Sequence, residues 1–409
     1  MRILWLAAFL CIPAQAADLP PLYEVKSALA HAPTVKEQEA GIDLQRSNDA
    51  RLKAGSYEYT VQMTGDRRKD DSIRQTLNEW SLQVSRPLRL PGKKAIDEDI
   101  GRQDMVTARL AHGDAMHESA KRLLGLWFAW LREKSREMAW QNQANLLEKE
   151  MNVVEKRLHA GDAPRLDLTL AKAAFDQARF SDLQAKMNEA IAARRLALNF
   201  PEISLPENPT LSDPRPLAEP EKFWREKIIS QNHAILLARS EEKKAELQAS
   251  RSRADNLPDP TIGINYSSEY GGSQRVVGGI LSFPLPGDYR RAGAEGAAAA
   301  AEMAMQRELD VKRRVESDVS SNYIMAEASY NGWEKSLDAA KGMVKNADLV
   351  SSAYALGEVN LAELLTARRL AIESQLASKL AQIDALDARY RLMIDAHLLW
   401  DFDENTRQK

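Results

Sequence analysis

The two halves of this chain repeat one another, so whatever one half folds into, the other must fold into as well. Gly161 is followed by Asp167-Leu168 and Ala171-Lys172, and Gly357 by Glu363-Leu364 and Ala367-Arg368, every pair 196 positions apart. Upstream, Ser85-Arg86-Pro87-Leu88 matches Ser282-Phe283-Pro284-Leu285 at an offset of 197, and Thr60-Val61 matches Thr261-Ile262 at 201. The change of offset makes the first intervening loop four residues longer. Between the halves, Pro201, Pro206, Pro209, Pro214, Pro216 and Pro220 exclude helix and central strand, which marks residues 201–220 as a linker. The repeats are then 17–200 and 221–400, with a polar tail at 401–409. Each reads as helix, strand, loop, strand, very long helix, glycine turn, helix.

The long helices carry a coiled-coil pattern. From Val319, the positions Tyr323, Ala326, Tyr330, Trp333, Leu337, Ala340, Val344 and Ala347 follow spacings of four and three in strict alternation. Leu147, Met151, Val154 and Leu158 repeat the pattern in the first half, and the return helix carries Ile372, Leu376, Leu380, Ile383, Leu386 and Tyr390. A single helix over residues 95–160 would be about 100 Å long at roughly 1.5 Å per residue, more than a compact core needs.

Four short segments alternate with period two instead. Trp80, Leu82 and Val84 stand against Ser81, Gln83 and Ser85; Ile262, Ile264 and Tyr266 stand against Gly263, Asn265 and Ser267. Tyr57–Met63 and Val276–Phe283 complete the set. This pattern suits a barrel wall with lipid outside and water inside, and it equally suits two amphipathic hairpins packed on helices. The connections at 65–79 and 268–275 are polar and read as surface loops. Four strands cannot close a barrel, and lipid does not tolerate open sheet edges, so a membrane reading requires several chains to pool their strands.

Residues 1–16 read as a secretory signal: Arg2, an apolar core from Ile3 to Ile12, and Ala14-Gln15-Ala16 before cleavage between Ala16 and Ala17. The only cysteine, Cys11, lies inside it, so the exported chain would hold neither a disulfide nor a thiolate metal site. Past the signal, the longest apolar run, Leu123 to Leu131, is too short for a transmembrane helix. A net charge of −3 argues against nucleic acid as a partner.

No catalytic chemistry is legible. The sequence contains no phosphate-binding glycine loop, nucleophile elbow or HExxH helix, so neither an enzyme nor a cofactor is expected. His112 and His117 are five apart, a spacing that does not put both on one helix face, so no protein-bound metal is expected. The twelve methionines read as seam and core residues.

The chain resembles the TolC family of outer-membrane efflux proteins, in particular the heavy-metal-efflux branch called CzcC- or CusC-like. The resemblance is carried by Leu257-Pro258-Asp259-Pro260, by Ser282-Phe283-Pro284-Leu285-Pro286-Gly287, and by Tyr354-Ala355-Leu356-Gly357 with Glu363-Leu364-Leu365-Thr366-Ala367. It implies a mainly α fold with a small β part: a long α-helical barrel, plus a transmembrane β-barrel to which each of three protomers gives four strands. It implies an outer-membrane duct of a Gram-negative bacterium with its helical tunnel in the periplasm. The partners would be two further copies, outer-membrane lipid, a periplasmic adaptor (membrane fusion) protein, and an inner-membrane transporter of RND or ABC type.

The same resemblance places Gly161 and Gly357 at the periplasmic hairpin tips, where the adaptor docks and the tunnel closes. Glu363 matches an acidic position that faces the pore in the family, and Thr366 stands here in place of the family's next acidic residue; the alternative is that Glu363 simply favours the first turn of its helix. Tyr354 and Asp167 match two members of a Tyr, Arg and Asp closure network. Val359 stands where the arginine would be, and Arg165 is a candidate substitute. The expected function is passive export of small solutes or metal cations. Two alternatives stand beside it, a protein-secretion duct of type I and a soluble periplasmic coiled-coil scaffold.

Overall fold

The computed structural model describes residues 18–400; the expected signal segment, Cys11, the cleavage site at Ala16 and Ala17, and the tail 401–409 lie outside the described residues. The element order is α1 (Leu22–His31), α2 (Pro33–Ala54), β1 (Thr60–Asp70), β2 (Gln75–Pro87), α3 (Pro91–His159), α4 (Arg165–Asn199), α5 (Glu221–Gln231), α6 (His233–Ala254), β3 (Thr261–Glu269), β4 (Gln274–Ser282), α7 (Asp288–Ala355) and α8 (Leu361–Asp395). A helix pair, a hairpin, a helix of 69 or 68 residues and a return helix of 35 therefore occur twice.

The leading helix of each repeat is two helices, not the single one expected. In the first repeat the break is Ala32, which Pro33 forces out of the helical region to ψ 130°. In the second it is Asn232, whose side chain accepts the Ile235 N–H at 3.1 Å and starts a new helix.

The chain packs as two compact units. One contains residues 18–35, 116–231 and 316–400. Its core is the stripe Leu123, Leu124, Trp127, Phe128, Trp130 and Leu131 of α3, all essentially inaccessible, together with Val25 and Leu29 of α1, Leu196 of α4, Ile228 of α5, and Ile383 and Leu392 of α8. The two indoles are satisfied as they are buried, Trp127 Nε1 by the Asp18 carbonyl at 2.8 Å and Trp130 Nε1 by Glu189 at 2.9 Å. The proline-rich stretch forms neither helix nor strand and is pinned here by polar contacts: Ser204 N–H and hydroxyl to Glu24, and Ser212 N–H and hydroxyl to Asp18. Tyr390 also donates to Asp18, at 2.9 Å; burial, followed by the adjacent carboxylate, raises the pKa of this phenol. In α7, Val319, Ala326, Trp333, Ala340 and Ala347 are buried at every seventh position, with Tyr323, Tyr330, Leu337 and Val344 half-buried between them.

The second unit contains Lys36–Ala115 and Asn232–Val315. It holds one antiparallel sheet in the order β1-β2-β3-β4, with β1 and β4 as open edges. The strands run further than expected. β1 continues through Asp66, Arg67, Arg68 and Lys69 to Asp70, so the stretch read as a loop is mostly strand closed by the turn 71–74. Cross-strand pairing supplies what the local sequence lacks: Arg68 meets Glu79 at 3.0 Å and lies 4.9 Å from the Tyr270 ring, while the Tyr270 N–H donates to Glu79 at 2.9 Å. Together these contacts tie the two hairpin ends to each other.

At the other end of the strands, a closed circuit of charges joins them to their helices. Asp97 lies 3.1 Å from Arg89 and 2.6 Å from Arg251; Arg251 lies 2.5 Å from Asp255; Lys93 bridges Asp255 and Asp259, each at 3.1 Å. Asp259 accepts from Tyr57 at 2.9 Å and from the Leu90 N–H at 3.1 Å, and Arg89 returns to stack 5.3 Å from the Tyr57 ring while donating to the Leu52 and Lys53 carbonyls. Burial, then the hydrogen bond to Asp259, pushes the Tyr57 phenol up to about 12. Burial would raise Asp255 and Asp259, but their hydrogen-bond donors outweigh it and hold both carboxyls below the usual range.

Candidate functional site

Two features could carry function, one in each unit. The first is the pair of turns that reverse the long helices. Gly161 has φ 77° and Gly357 has φ 78°, a conformation that costs other residues a clash between Cβ and the following carbonyl. At the first turn the Gly161 N–H bonds the Leu158 carbonyl at 3.0 Å and the Asp162 N–H bonds Arg157 at 2.8 Å. At the second, the Gly357 N–H bonds Tyr354 at 3.0 Å and the Glu358 N–H bonds Ala353 at 3.0 Å. Both are Schellman motifs, identical in pattern and offset by the repeat.

The helices that follow start differently. Asn360 caps α8 by accepting the Glu363 N–H at 2.9 Å, and its amide donates back to the Glu363 carboxylate at 2.9 Å. Glu363 is thus an exposed first-turn acid engaged by its own cap, and Thr366, also exposed, donates to the Ala362 carbonyl at 2.7 Å. α4 begins after Pro164 with no side-chain cap, and half-buried Asp167 sits in its first turn with its N–H on the Pro164 carbonyl.

Within the chain, Tyr354 is brought together with Arg157 and Asp162 rather than with the expected Asp167 and Arg165. Arg157, in the last turn of α3, donates to the Tyr354 hydroxyl at 3.2 Å with its guanidinium 5.6 Å from the ring, and it pairs with Asp162 at 3.2 Å. Neither Asp167 nor Arg165 is part of this set. Behind it, Val154, Ala171, Leu361 and Leu364 form a core on which Tyr354, Met151 and Leu168 pack. Next to that core, Arg368 pairs with Glu150 and donates to Ser351 at 3.1 Å; burial raises the Glu150 pKa. Arg157 was the least visible member in the sequence, because only the paired turns bring it to Tyr354, 197 positions further on.

The second feature is the sheet. Val61, Met63, Trp80, Leu82, Val84, Ile262, Ile264, Tyr266, Val277 and Leu281 fall on one face by register. Trp80 and Tyr266 lie 5.4 Å apart there. This face is open: Met63 is 72% exposed, Ile264 66%, Val277 78% and Leu281 64%. The opposite face carries Gln62, Thr64, Ser81, Gln83, Asn265 and Ser267, with Val276 and Ile280 of β4 as its apolar members, and Thr64 and Ser81 are hydrogen-bonded at 2.6 Å. The strands have 11, 13, 9 and 9 residues, the length that crosses hydrocarbon when tilted. Among the described residues, no helix is long and apolar enough to cross a membrane, and no cluster of three His, Cys, Asp or Glu side chains could hold a metal ion.

No family sequence profile matches the chain, and neither does any curated protein sequence. Solved structures do match. CusC, studied for the conformational changes that accompany its folding and transmembrane channel formation, superposes with a TM-score of 0.78 at 13% identity, over 91% of each chain. The outer membrane channel CmeC of Campylobacter jejuni gives 0.77 at 12% identity, over 94% of this chain and 87% of that one. The outer membrane channel MtrE of Neisseria gonorrhoeae, in its open state, gives 0.73 at 15% identity, over 93% and 90%. The chain therefore has the TolC-like fold expected from the resemblance, mainly helical with a small antiparallel sheet.

Proposed function

We propose that this chain is a TolC-family outer-membrane duct, three copies of which share one β-barrel and one helical tunnel and export small solutes or metal cations passively from the periplasm. The observation that carries the reading is the sheet: strands long enough to span hydrocarbon, one face apolar and open, the other largely polar, and two unpaired edges. Such a sheet is unstable in lipid alone and is completed when neighbouring copies pair its edges. A stripe on α4, Phe180, Leu183, Met187 and Ile191, with each side chain more than half exposed, supplies a helical surface for the same neighbours.

The turns at Gly161 and Gly357 are the proposed periplasmic end, where an adaptor docks and an inner-membrane RND or ABC transporter delivers its cargo. There the Tyr354, Arg157 and Asp162 contacts hold the first turn to α7, and Glu363, Thr366 and Asp167 stand at the entrance. Three copies of Glu363 around an axis would attract cations. The sheet favours this reading over a soluble periplasmic scaffold, which has no use for an open apolar face of that size. A type I secretion duct would share every feature named here.

Fractionation followed by planar-bilayer recording tests the proposal. A heat-sensitive trimer in outer membranes that conducts ions is expected; a single-copy protein in the periplasmic fraction would sink it. In the same recordings, Glu363→Gln should lower cation selectivity, and unchanged selectivity would reduce Glu363 to its part in the α8 cap.

A further inference from the structure

The repeat makes it possible to specify how one copy meets the next, given the barrel reading above. The two hairpins are equivalent residue by residue: Thr60 pairs with Ser85 and Val61 with Val84, while their counterparts Thr261 and Ile262 pair with Ser282 and Leu281. The hairpins are joined within the chain by β2 and β3, with Pro87 opposite Thr261, Ser85 opposite Gly263 and Val84 opposite Ile264. By the repeat, β4 is the counterpart of β2, and β1 is the counterpart of β3. The edges left open are therefore the same two kinds of edge that are already joined inside the chain.

We propose that β4 of one copy pairs antiparallel with β1 of the next in the transferred register: Pro284 opposite Thr60, Phe283 opposite Val61, Ser282 opposite Gln62, Leu281 opposite Met63 and Ile280 opposite Thr64. Side-chain direction provides a separate check. This register sets Leu281 beside Met63, and Phe283 beside Val61, on the open apolar face, and it sets Ser282 beside Gln62 on the polar one; Ile280 beside Thr64 is its one mixed pair. A slip of one residue would turn apolar side chains of one strand against polar side chains of the other. A slip of two keeps the faces but makes the joints around the barrel unequal, and the stagger of a closed barrel is fixed by the sum of its joints. The counterparts do differ in size. Gly263 lies so close to β2 that an added Cβ would meet the Ser85 Cβ and the Val84 carbonyl, each at 2.8 Å, so the joint between copies, where Gln62 takes that place, keeps the register with a wider spacing at this one pair.

Paired cysteines in the full-length protein test the register. Gln62→Cys with Ser282→Cys, and Met63→Cys with Leu281→Cys, are compared in oxidised membranes with the displaced pairs Gln62→Cys with Ile280→Cys and Gln62→Cys with Pro284→Cys. The wild type and each single substitution serve as controls. Directly opposed positions lie within disulfide reach and positions displaced by two do not, so the matched pairs should give reducible covalent dimers and trimers, and the displaced pairs about tenfold less. Adjacent positions alternate between hydrogen-bonded and non-bonded sites, so one of the two matched pairs falls on the closer kind.

If a displaced pair links best, or if no pair links while native mass measurement shows a trimer, the register is overturned and the barrel stands. If no pair links and the protein runs as a single copy, the register and the duct reading fall together.

Discussion

Replacing Lys93 by methionine isolates the energetics of the charge circuit beneath the sheet. The Lys93 ammonium is buried and lies 3.1 Å from both Asp255 and Asp259. Methionine fills much of the same volume without the charge. Breaking a buried ion pair by removing one partner costs about 3–5 kcal/mol. Asp255 keeps Arg251, and Asp259 keeps Tyr57 and the Leu90 N–H, which points to the lower end, about 3 kcal/mol. The loss should be local, because the circuit joins strand ends to helices. Hydrogen exchange at Leu88 and Leu90, bonded to the Pro260 carbonyl and to Asp259, should therefore quicken roughly a hundredfold.

The loss has a sign in pH as well. Lys93 helps to lower both carboxyls, so its contribution is complete above their ordinary value of 3.8 and disappears as pH falls through their depressed values. The difference between variant and wild type should thus be full at pH 7 and shrink below about pH 4. Lys94→Met is the control: that lysine is exposed and 3.9 Å from Glu98, and its loss should cost about 0.5 kcal/mol or less. Equal protection in Lys93→Met and wild type, or equal loss in Lys94→Met, would refute the reasoning.

Gly161→Ala and Gly357→Ala should each cost about 1–2 kcal/mol in thermal or denaturant unfolding, because nothing lies within 4 Å of an added Cβ and only the positive φ is penalised. Asn360→Ala should cost about 1 kcal/mol and increase amide exchange at Glu363, whose N–H loses its acceptor. Trp127→Ala should cost about 3–5 kcal/mol in the same unfolding measurement, and the loss should exceed that of any exposed α7 substitution such as Ile324→Ala. Arg157→Gln should leave the helices intact by circular dichroism while accelerating exchange at the Asp162 N–H.

Much of the architecture was legible in the sequence because it is periodic. Burial at Val319, Ala326, Trp333, Ala340 and Ala347 follows directly from spacing, and so do the two faces of β2 and β3. Strand ends were not legible: the charged run Asp66–Asp70 has the composition of a loop, and only pairing with residues 75–79 makes it strand. The turn glycines announced themselves, since a helix that must reverse needs a residue tolerant of positive φ. Arg157 did not, because nothing near it in sequence hints at Tyr354. The charge circuit was equally hidden, with Lys93 meeting acids more than 160 positions away.

The seven-residue rhythm of α7 restricts how this protein can change in length. One inserted residue would rotate everything beyond it by about 100°, carrying buried alanines into water and charged neighbours into the seam. Seven would leave the contacts in phase. Between Val319 and Ala347, growth or shortening is therefore tolerated in whole heptads, and any other change must be answered by a matching one in the helix packed against it.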